Sequence, residues 1–268
     1  MPVISPLSEA ERERYSRQLL LPEIGMAGQD RLRQARVLVV GTGGLGSPLA
    51  LYLAAAGVGT LGLVDFDCVE TSNLQRQIIH GTGWVGRPKL DSAAARLADL
   101  NPFVAVEPHH CALDAANARQ IVAGYDIVAG ATDNYDVRYV TNDVCVALGK
   151  PSVYGAVFQF EGQVSVFAGT GPCYRCLYPE RPPGNFAPPS SRSGMLGVVP
   201  GVIGALQATE VLKCILRAGE TLNGKLLLYD ALTMSFHVLA IERNPACPAC
   251  GARPIVKTAA ARIGASSA

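Results

Sequence analysis

The chain has 268 residues, of which 49% are hydrophobic and 17% charged, with a formal net charge of +1 at pH 7. This composition is typical of a globular protein and excludes a disordered chain. The near-zero net charge gives no general attraction to nucleic acid or to an anionic membrane, so we expect neither as a partner. Because the N-terminus lacks the basic and apolar regions of a signal peptide, we expect a cytoplasmic protein.

Two short helices are predicted before the first strand. Ser8 and Glu11 have the spacing of a capping box, which predicts a polar helix from Glu9 to about Leu20. A second helix is expected from about Ala27 to Gln34. Arg17 lies on the first helix, where its local context indicates a solvent-exposed face.

The stretch 36–76 is typical of a βαβ unit. An apolar, β-branched run at 37–40 predicts a buried strand, and a G-x-G-x-x-G turn, an apolar helix at 45–56 and a second strand at 60–64 follow. Asp65 comes next, where an acidic side chain can reach a ribose hydroxyl. The glycines alone could serve packing, but the complete unit favours a nucleotide whose phosphates lie at the helix N-terminus. They are Gly41, Gly43, Gly44 and Gly46.

Strands and helices continue to alternate after this unit. A helix is predicted from Pro88 to about Leu100, because proline suits a first turn and Asn101-Pro102 ends the pattern. Two strands, 104–106 and 126–130, enclose a helix at 115–123. This order implies a Rossmann-like, mostly parallel sheet with helices on both faces.

Two acidic residues follow strands of the predicted sheet. Asp65 ends the strand at 60–64, and Asp133 closely follows the strand at 126–130. Ligands of such sheets bind beyond the carboxyl ends of the strands. We therefore expect both carboxylates to line one crevice.

The pattern changes after Pro151, where strand-like segments predict a β-rich continuation of the fold. It includes one long apolar helix and a proline-rich loop that we expect to be exposed and mobile. We expect one domain in residues 1–251 and a frayed tail at 252–268. The predicted strands are 152–157, 163–167, 225–229 and 235–241, the helix is 201–216 and the loop is 179–194.

Four of the eight cysteines form two C-x-x-C pairs, Cys173 with Cys176 and Cys247 with Cys250. Each pair directs two thiolates at one point, and four thiolates satisfy tetrahedral zinc with no open position, which implies a structural role. The alternative, a redox dithiol, normally needs one pair on a thioredoxin-like helix, so two pairs in loops favour zinc. The other cysteines are expected to be packing residues: Cys68, Cys111, Cys145 and Cys214.

Three further residues suit the phosphates of a nucleotide. Arg76 and Lys89 are cations that can neutralise phosphate oxygens. Asp133 offers the hard oxygen ligands that Mg²⁺ prefers. A dinucleotide oxidoreductase would need no such group, although each residue taken singly is more often a surface charge.

Taken together, the motifs resemble one known family. They are RYSRQLLLPEIG, GTGGLGSPLALYLAAAGVGTLGLVDFDCVETSNLQRQ, GRPK, ATDN, both cysteine pairs and GVIGALQATEVLK. This set is similar to the MoeB/ThiF-type adenylyltransferases, relatives of the ubiquitin-activating enzymes, over roughly residues 14–251. Enzymes of that family use ATP and Mg²⁺ to adenylate the C-terminal glycine of a ubiquitin-fold sulfur carrier.

The resemblance implies roles for individual residues. Asp65 would bind the ribose and Asp133 would bind Mg²⁺, with Gly44 against the nucleotide. Arg17 matches an arginine that reaches into the partner subunit's active site, which implies a homodimer. The implied catalytic residues are Arg17, Arg76, Lys89 and Asp133. The implied ATP-binding residues are Gly41, Gly43, Gly44, Gly46, Asp65, Asp67, Ser72, Asn73, Leu74, Gln75, Arg76, Lys89, Asp133 and Asn134.

The implied partners are a small ubiquitin-fold sulfur carrier ending in Gly-Gly and a sulfurtransferase that donates sulfur. The domain would comprise N-terminal helices (1–35), a nucleotide-binding core (36–170) and a part with the zinc site and the crossover loop (171–251). One position departs from the family, because many relatives carry a cysteine in the crossover loop where this chain has Ser191. A serine hydroxyl is a poor acceptor for a thioester-type intermediate.

Three other functions stay open at this point. A related branch of the superfamily adenylates a small carboxylate on tRNA threonylcarbamoyladenosine, although the near-zero net charge disfavours an RNA substrate. An NAD-dependent oxidoreductase would share the glycine loop and Asp65 but would leave the cations and the cysteine pairs unexplained. A nucleotide-binding scaffold without catalysis is disfavoured, since every expected phosphate-site residue is present. Molybdopterin, thiamine, thiouridine and natural-product pathways are not separated by the sequence.

Overall fold

The computed structural model describes residues 6–169, 171–181 and 193–251. Eight strands form one sheet: β1 (Arg36–Val40), β2 (Thr60–Asp65), β3 (Ala105–His110), β4 (Ile127–Gly130), β5 (Ser152–Phe158), β6 (Glu161–Phe167), β7 (Lys225–Asp230) and β8 (Ser235–Ala240). Their order is β3-β2-β1-β4-β5-β6-β7-β8. The pairings from β3 to β5 are parallel, and those from β5 to β8 are antiparallel. The expected parallel sheet with a β-rich continuation is therefore confirmed.

Helices cover both faces of the parallel part, as predicted. On one face, α3, α4, α5 and α9 enclose the main core with the sheet, and on the other face α6 and α7 enclose a second core. Leu49 and Leu53 of α4 are fully buried, and each such side chain stabilises the fold by about 1.5–3 kcal/mol. The described helices are α1 (Glu9–Arg14), α2 (Ser16–Leu19), α3 (Gly25–Gln34), α4 (Gly46–Ala55), α5 (Lys89–Leu100), α6 (Ala118–Ala123), α7 (Tyr135–Leu148), α8 (Tyr174–Leu177) and α9 (Val198–Leu216).

The N-terminal segment differs from its prediction. The single helix expected from Glu9 to Leu20 is divided into α1 and α2 at Tyr15, whose side chain is buried. The Tyr15 hydroxyl accepts a 2.8 Å hydrogen bond from the amide of Asn101, so a tertiary contact interrupts the helix. The capping box is confirmed, since Ser8 and Glu11 each accept a hydrogen bond from the other's backbone N–H.

Helix α7 was not predicted from the sequence. Its residues include several β-branched side chains, which have low helix propensity. The helix begins because the Asn134 side chain accepts hydrogen bonds from the N–H groups of Asp136 and Val137. It ends at Gly149, whose φ of +67° suits glycine.

Other boundaries shift by a few residues. β3 extends to His110, beyond the predicted 104–106, and α6 begins at Ala118 rather than at 115. The tail from 252 and Ser191 lie outside the described residues, as does most of the proline-rich loop. The predictions made for them stay predictions.

One helix in the described part of the chain, α9, is long and apolar enough to cross a membrane by length and composition. It packs against α4, β5 and β6, and its Val199, Ile203 and Val211 are fully buried in the main core. Burial inside the fold accounts for its apolar sequence.

Candidate nucleotide site and cysteine cluster

The glycine loop between β1 and α4 has no room for side chains at its two ends. Gly41 has a φ of +98°, and a Cβ there would lie 2.9 Å from the carbonyl oxygen of Ala131. A Cβ on Gly46 would lie 2.0 Å from the carbonyl oxygen of Gly41. The loop is therefore held tightly against the segment after β4, and the N-terminus of α4 begins directly behind it. Such a helix N-terminus is suited to phosphate.

Asp65 at the end of β2 fixes the conformation of this loop. One carboxylate oxygen accepts two 2.8 Å hydrogen bonds, from the N–H and the hydroxyl of Thr42. The other oxygen accepts a 3.0 Å hydrogen bond from the N–H of Asp67. Since each carboxylate oxygen has two lone pairs, the second oxygen still has capacity for a ribose hydroxyl.

Lys89 lies close to the end of β2. Its ammonium group pairs with Asp67 at 2.8 Å, and its side chain is only 7% exposed, whereas the Asp67 side chain is 51% exposed. Lys89 is the first residue of α5, and its N–H donates to the carbonyl of Asp67. The cation is thus held between the β2 end and α5.

The Arg76 side chain lies against the glycine loop. A Cβ on Gly44 would be 3.5 Å from Arg76 Cγ and 3.2 Å from Pro200 Cβ, so the arginine stem and α9 border the loop. The guanidinium donates to the carbonyl of Ser72 at 3.1 Å and to the Asn73 side chain at 3.2 Å. The structure therefore brings Arg76 to the glycine loop, while Lys89 pairs with Asp67 just beyond the end of β2.

The remaining predicted residues of this segment have contacts of their own. The Ser72 hydroxyl donates to Glu70 at 3.2 Å. A Cβ on Gly197 would lie 2.3 Å from Gln75 Oε1, so Gln75 packs against the start of α9. Leu74, which lies between Ser72 and Gln75 in the sequence, is half-buried.

Asp133 lies at the same edge of the sheet, just beyond β4, which is the neighbour of β1. It is exposed and forms no hydrogen bond or ion pair with any described residue. Its carboxylate is therefore available to a hard cation such as Mg²⁺. Asn134, also predicted to bind ATP, uses its side-chain oxygen to cap α7.

Two residues of this region were missed from the sequence. His80 is buried, with Nε2 3.1 Å from the Thr42 carbonyl oxygen and Nδ1 3.0 Å from the hydroxyl of Ser92 in α5. Gln77 is buried, and its amide nitrogen would be 3.5 Å from a Cβ on Gly43. Both flank the apolar pair Ile78-Ile79, directly after the predicted phosphate-site residue Arg76, and this position is the signal that could have identified them.

Arg17 is remote from the glycine loop of its own chain. It lies on α2, where the neighbouring Gln18 donates to the carbonyl of Ala56, just after the end of α4. The glycine loop is at the opposite end of α4, a helix of 10 residues and hence about 15 Å long. Arg17 is exposed and forms no hydrogen bond or ion pair within the described chain.

The four predicted cysteine ligands come together in space. Their sulfur atoms all lie within 4.8 Å of one another. Cys173 Sγ is 3.6 Å from Cys247 Sγ, and Cys176 Sγ is 3.4 Å from Cys250 Sγ, too far for disulfides. A tetrahedral zinc with Zn–S bonds of about 2.3 Å has sulfur atoms roughly 3.8 Å apart, so the thiol set fits zinc.

The cysteine cluster lies at the opposite end of α7 from Asp133. It packs against Val146 in the last turn of the helix, whereas Asp133 precedes the first turn. A 14-residue helix is about 21 Å long, which separates the two sites. Burial raises the pKa of the Cys250 thiol, whereas for Cys247 backbone hydrogen bonds outweigh burial and lower its pKa.

The other cysteines fit the packing prediction with one exception. Cys145 is buried, and burial raises its pKa to about 12, while Cys111 and Cys214 are half-buried. Cys68 is exposed, so the prediction that it is a packing residue is wrong. It lies just after the end of β2, where it forms an isolated antiparallel bridge with Pro88.

A sequence model of the ThiF family matches residues 15–249. The chain belongs to the ThiF family. The predicted resemblance to MoeB/ThiF-type adenylyltransferases is thereby confirmed. The SAMP-activating enzyme E1 of Haloferax volcanii is 50% identical over 245 residues, which are 91% of each chain. The sulfur carrier protein adenylyltransferase of Thermus thermophilus is 50% identical over 253 residues, 92% of this chain and 93% of the relative.

A longer relative and a solved structure extend the comparison. The adenylyltransferase and sulfurtransferase MOCS3 of Bos taurus is 51% identical over 258 residues, 96% of this chain but 57% of the relative. The crystal structure of E. coli MccB with ATP has a TM-score of 0.77 and 26% identity, over 89% of this chain and 74% of that one. This ThiF-family chain thus shares its fold with an ATP-bound protein.

Proposed function

We propose that this ThiF-family chain is an ATP- and Mg²⁺-dependent adenylyltransferase that activates the C-terminal glycine of a small ubiquitin-fold sulfur carrier. The product would be an acyl-adenylate, ready for later attack by sulfur from a sulfurtransferase. The names of its 50%-identical relatives in Haloferax volcanii and Thermus thermophilus support this assignment.

The observation that carries the proposal is the arrangement of charges around one glycine loop. Arg76 borders the loop at Gly44, and Lys89 pairs with Asp67 just beyond the end of β2. The carboxylate of Asp133, which has no partner in the described chain, lies at the same sheet edge. Two cations and a free carboxylate suit a triphosphate with a divalent cation. Hydride transfer from NAD would not require these two cations and the carboxylate.

The chemistry follows from these positions. A C-terminal carboxylate is ionised at pH 7, so it can attack the α-phosphorus without a general base. Asp65 would orient the ribose, while Asn73, Arg76 and Lys89 would align the phosphates and neutralise charge in the transition state. Lys89 would share its ammonium group between Asp67 and phosphate oxygens. Mg²⁺ on Asp133 would supply further neutralisation of phosphate charge.

The four cysteines would hold one structural zinc. Cys173 follows β6 and Cys247 follows β8, so the metal would join the ends of two strands of the antiparallel part. The site has no spare position for a substrate, because four thiolates complete a tetrahedron. Its separation from Asp133 by the length of α7 supports a role in stability alone.

The active enzyme would be a homodimer. Arg17 cannot reach the glycine loop of its own chain without crossing the length of α4, yet it is exposed and unpartnered in the described chain. We assign it to the active site of a second copy. We also propose that residues 1–251 form one domain, divided into N-terminal helices (1–35), a nucleotide-binding core (36–170) and a part with the zinc site and crossover loop (171–251). We propose a cytoplasmic location for the protein.

Exchange of labelled pyrophosphate into ATP tests the proposed function. Exchange should require Mg²⁺ and a carrier ending in Gly-Gly, because the first half-reaction is reversible and releases pyrophosphate. A carrier lacking its last glycine is the matched control. Absence of exchange with every carrier tested, together with hydride transfer to NAD, would support the oxidoreductase instead.

A further inference from the structure

Arg138 in the second turn of α7 holds the segment that carries Asp133. Its Nε and Nη2 donate hydrogen bonds of 3.1 and 3.0 Å to the same acceptor, the carbonyl oxygen of Thr132. Thr132 immediately precedes Asp133 in the chain. The peptide next to the predicted magnesium ligand is thus fixed by two hydrogen bonds from one guanidinium to one carbonyl oxygen.

No carboxylate balances the charge of this guanidinium within the described chain. Arg138 forms no ion pair there, and the rings of Tyr135 and Tyr154 lie 5.2 and 5.6 Å from it. The Tyr174 side chain is also within hydrogen-bond reach of the guanidinium. Aromatic faces attract a cation but do not fix its rotation as a carboxylate does. The two hydrogen bonds to the Thr132 carbonyl, together with the Tyr174 contact, therefore set the orientation of the guanidinium.

The surrounding packing leaves room on one side of Arg138. A cavity of about 30 Å³ lies between α7 and β5, lined by Arg138, Thr141 and Tyr154 among others. The Thr141 hydroxyl is buried there without a hydrogen-bond partner in the described chain. The cavity leaves one side of Arg138 without tight packing, so its hydrogen bonds contribute to holding the side chain in place.

The Asp133 side chain has no contact of its own in the described chain, so its position depends on the contacts of the neighbouring peptides. Its side chain is exposed and has no partner in the described chain, so only its backbone determines where the carboxylate lies. On one side that backbone is fixed by Arg138 through Thr132. On the other side Asn134 donates its N–H to the Thr132 hydroxyl at 3.1 Å.

We propose that Arg138 is a positioning residue for the divalent cation, acting by fixing the Thr132 peptide and hence the Asp133 carboxylate. The inference rests on the proposed function, in which Asp133 binds Mg²⁺. Residues that orient metal ligands typically change metal affinity by 10–100-fold when replaced. Because Arg138 acts through the neighbouring peptide, we expect the lower end of that range, about tenfold.

The test measures metal binding rather than turnover. Mn²⁺, a paramagnetic substitute for Mg²⁺, is titrated into the full chain in the presence of a non-hydrolysable ATP analogue. The concentration of free Mn²⁺ is measured by electron paramagnetic resonance. Affinity for the analogue without metal is measured by calorimetry. Arg138→Met removes both hydrogen bonds while keeping an apolar stem against the rings, and Arg138→Lys keeps the charge but loses the two-pronged contact.

The matched control is Arg175→Met. Arg175 also lies over a tyrosine ring, Tyr139 at 4.6 Å, but it pairs with Asp143 in α7 and does not contact the Asp133 segment. We expect both Arg138 variants to bind Mn²⁺ about tenfold more weakly, with metal-free analogue affinity changed less than twofold, and Arg175→Met to behave as wild type.

The positioning role would be overturned if either folded Arg138 variant kept the wild-type affinity for Mn²⁺ while Asp133→Ala lost Mn²⁺ binding. That result would leave the proposed function intact. The positioning role would also be overturned if Arg138→Lys bound Mn²⁺ like wild type and Arg138→Met did not. The positive charge, rather than the hydrogen-bond geometry, would then determine Mn²⁺ affinity. If the wild-type chain bound no ATP analogue, the proposed function and this assignment would both fall.

Discussion

His80 Nε2 lies 3.1 Å from the carbonyl oxygen of Thr42 in the glycine loop. Since a carbonyl only accepts, Nε2 must carry a proton, and in the neutral ring Nδ1 then accepts from the Ser92 hydroxyl. Thr42 is thus fixed by Asp65 on one side and by His80 on the other. The loop is joined to α5, the helix that begins with Lys89.

This geometry predicts a pH dependence of stability. Burial and the nearby charge of Lys89 hold the pKa of His80 below its ordinary value, although the Thr42 carbonyl and Asp65 oppose them. The unfolded chain therefore takes up the proton more readily than the folded chain. The contribution of His80 is present above the unfolded pKa of about 6.5 and is lost as the pH falls below it.

Urea unfolding between pH 5 and 8 measures this effect. The free energy of unfolding should decrease as the pH falls, and it should decrease less in His80→Gln, which has no titrating group. The difference between the two curves isolates His80 from His109, whose pKa burial also lowers. Parallel curves for wild type and variant would show that His80 does not titrate in this range.

Asp133→Ala should abolish Mg²⁺-dependent pyrophosphate exchange without unfolding the protein. Asp133 is exposed and unpartnered in the described chain, so its removal should change the free energy of unfolding by no more than about 0.5 kcal/mol. The matched control is Asp136→Ala, which removes another exposed carboxylate near the start of α7, one that pairs with Arg181. Near-native exchange in Asp133→Ala would exclude Asp133 as the magnesium ligand.

Mixing two inactive variants tests the assignment of Arg17 to a second subunit. Arg17→Ala and Asp133→Ala should each be inactive alone. After subunit exchange, each mixed dimer would contain one site with both groups intact, with about half the activity of a wild-type dimer. No recovery after verified exchange would show that Arg17 does not act across the dimer.

Elemental analysis should find one zinc per chain in freshly purified protein. Cys247→Ser should remove the metal and lower the melting temperature, whereas Cys145→Ala, at a buried thiol outside the cluster, should retain it. Chelation should lower stability before it changes nucleotide affinity, because the cluster is separated from Asp133 by α7. Zinc-free native protein would exclude the four-thiolate site.

Local patterns were sufficient to predict the sheet and the glycine loop. The βαβ unit combines two apolar strands, a glycine turn and Asp65, and each of these depends on residues close in sequence. The assignment of Arg76 and Lys89 to one phosphate site needed the resemblance to a family, since spacing alone does not bring them together. Their contacts with Gly44 and Asp67 come from the structure.

The failures of sequence-based prediction were tertiary in origin. Tyr15 divides the N-terminal helix because its buried hydroxyl is bound by Asn101, which is distant in sequence. Helix α7 has weak intrinsic propensity and is stabilised by packing and by its caps. His80 was missed because its partner Thr42 is brought to it only by the turn after β2.

Detection of the acyl-adenylate itself tests the central claim most directly. The chain is incubated with ATP, Mg²⁺, pyrophosphatase and a ubiquitin-fold carrier ending in Gly-Gly, and the intact carrier is analysed by mass spectrometry. We predict an AMP adduct on the C-terminal glycine that forms with wild-type enzyme and is absent with Asp133→Ala. The proposed function would be contradicted if every such carrier tested stayed unmodified although the enzyme was folded and bound ATP.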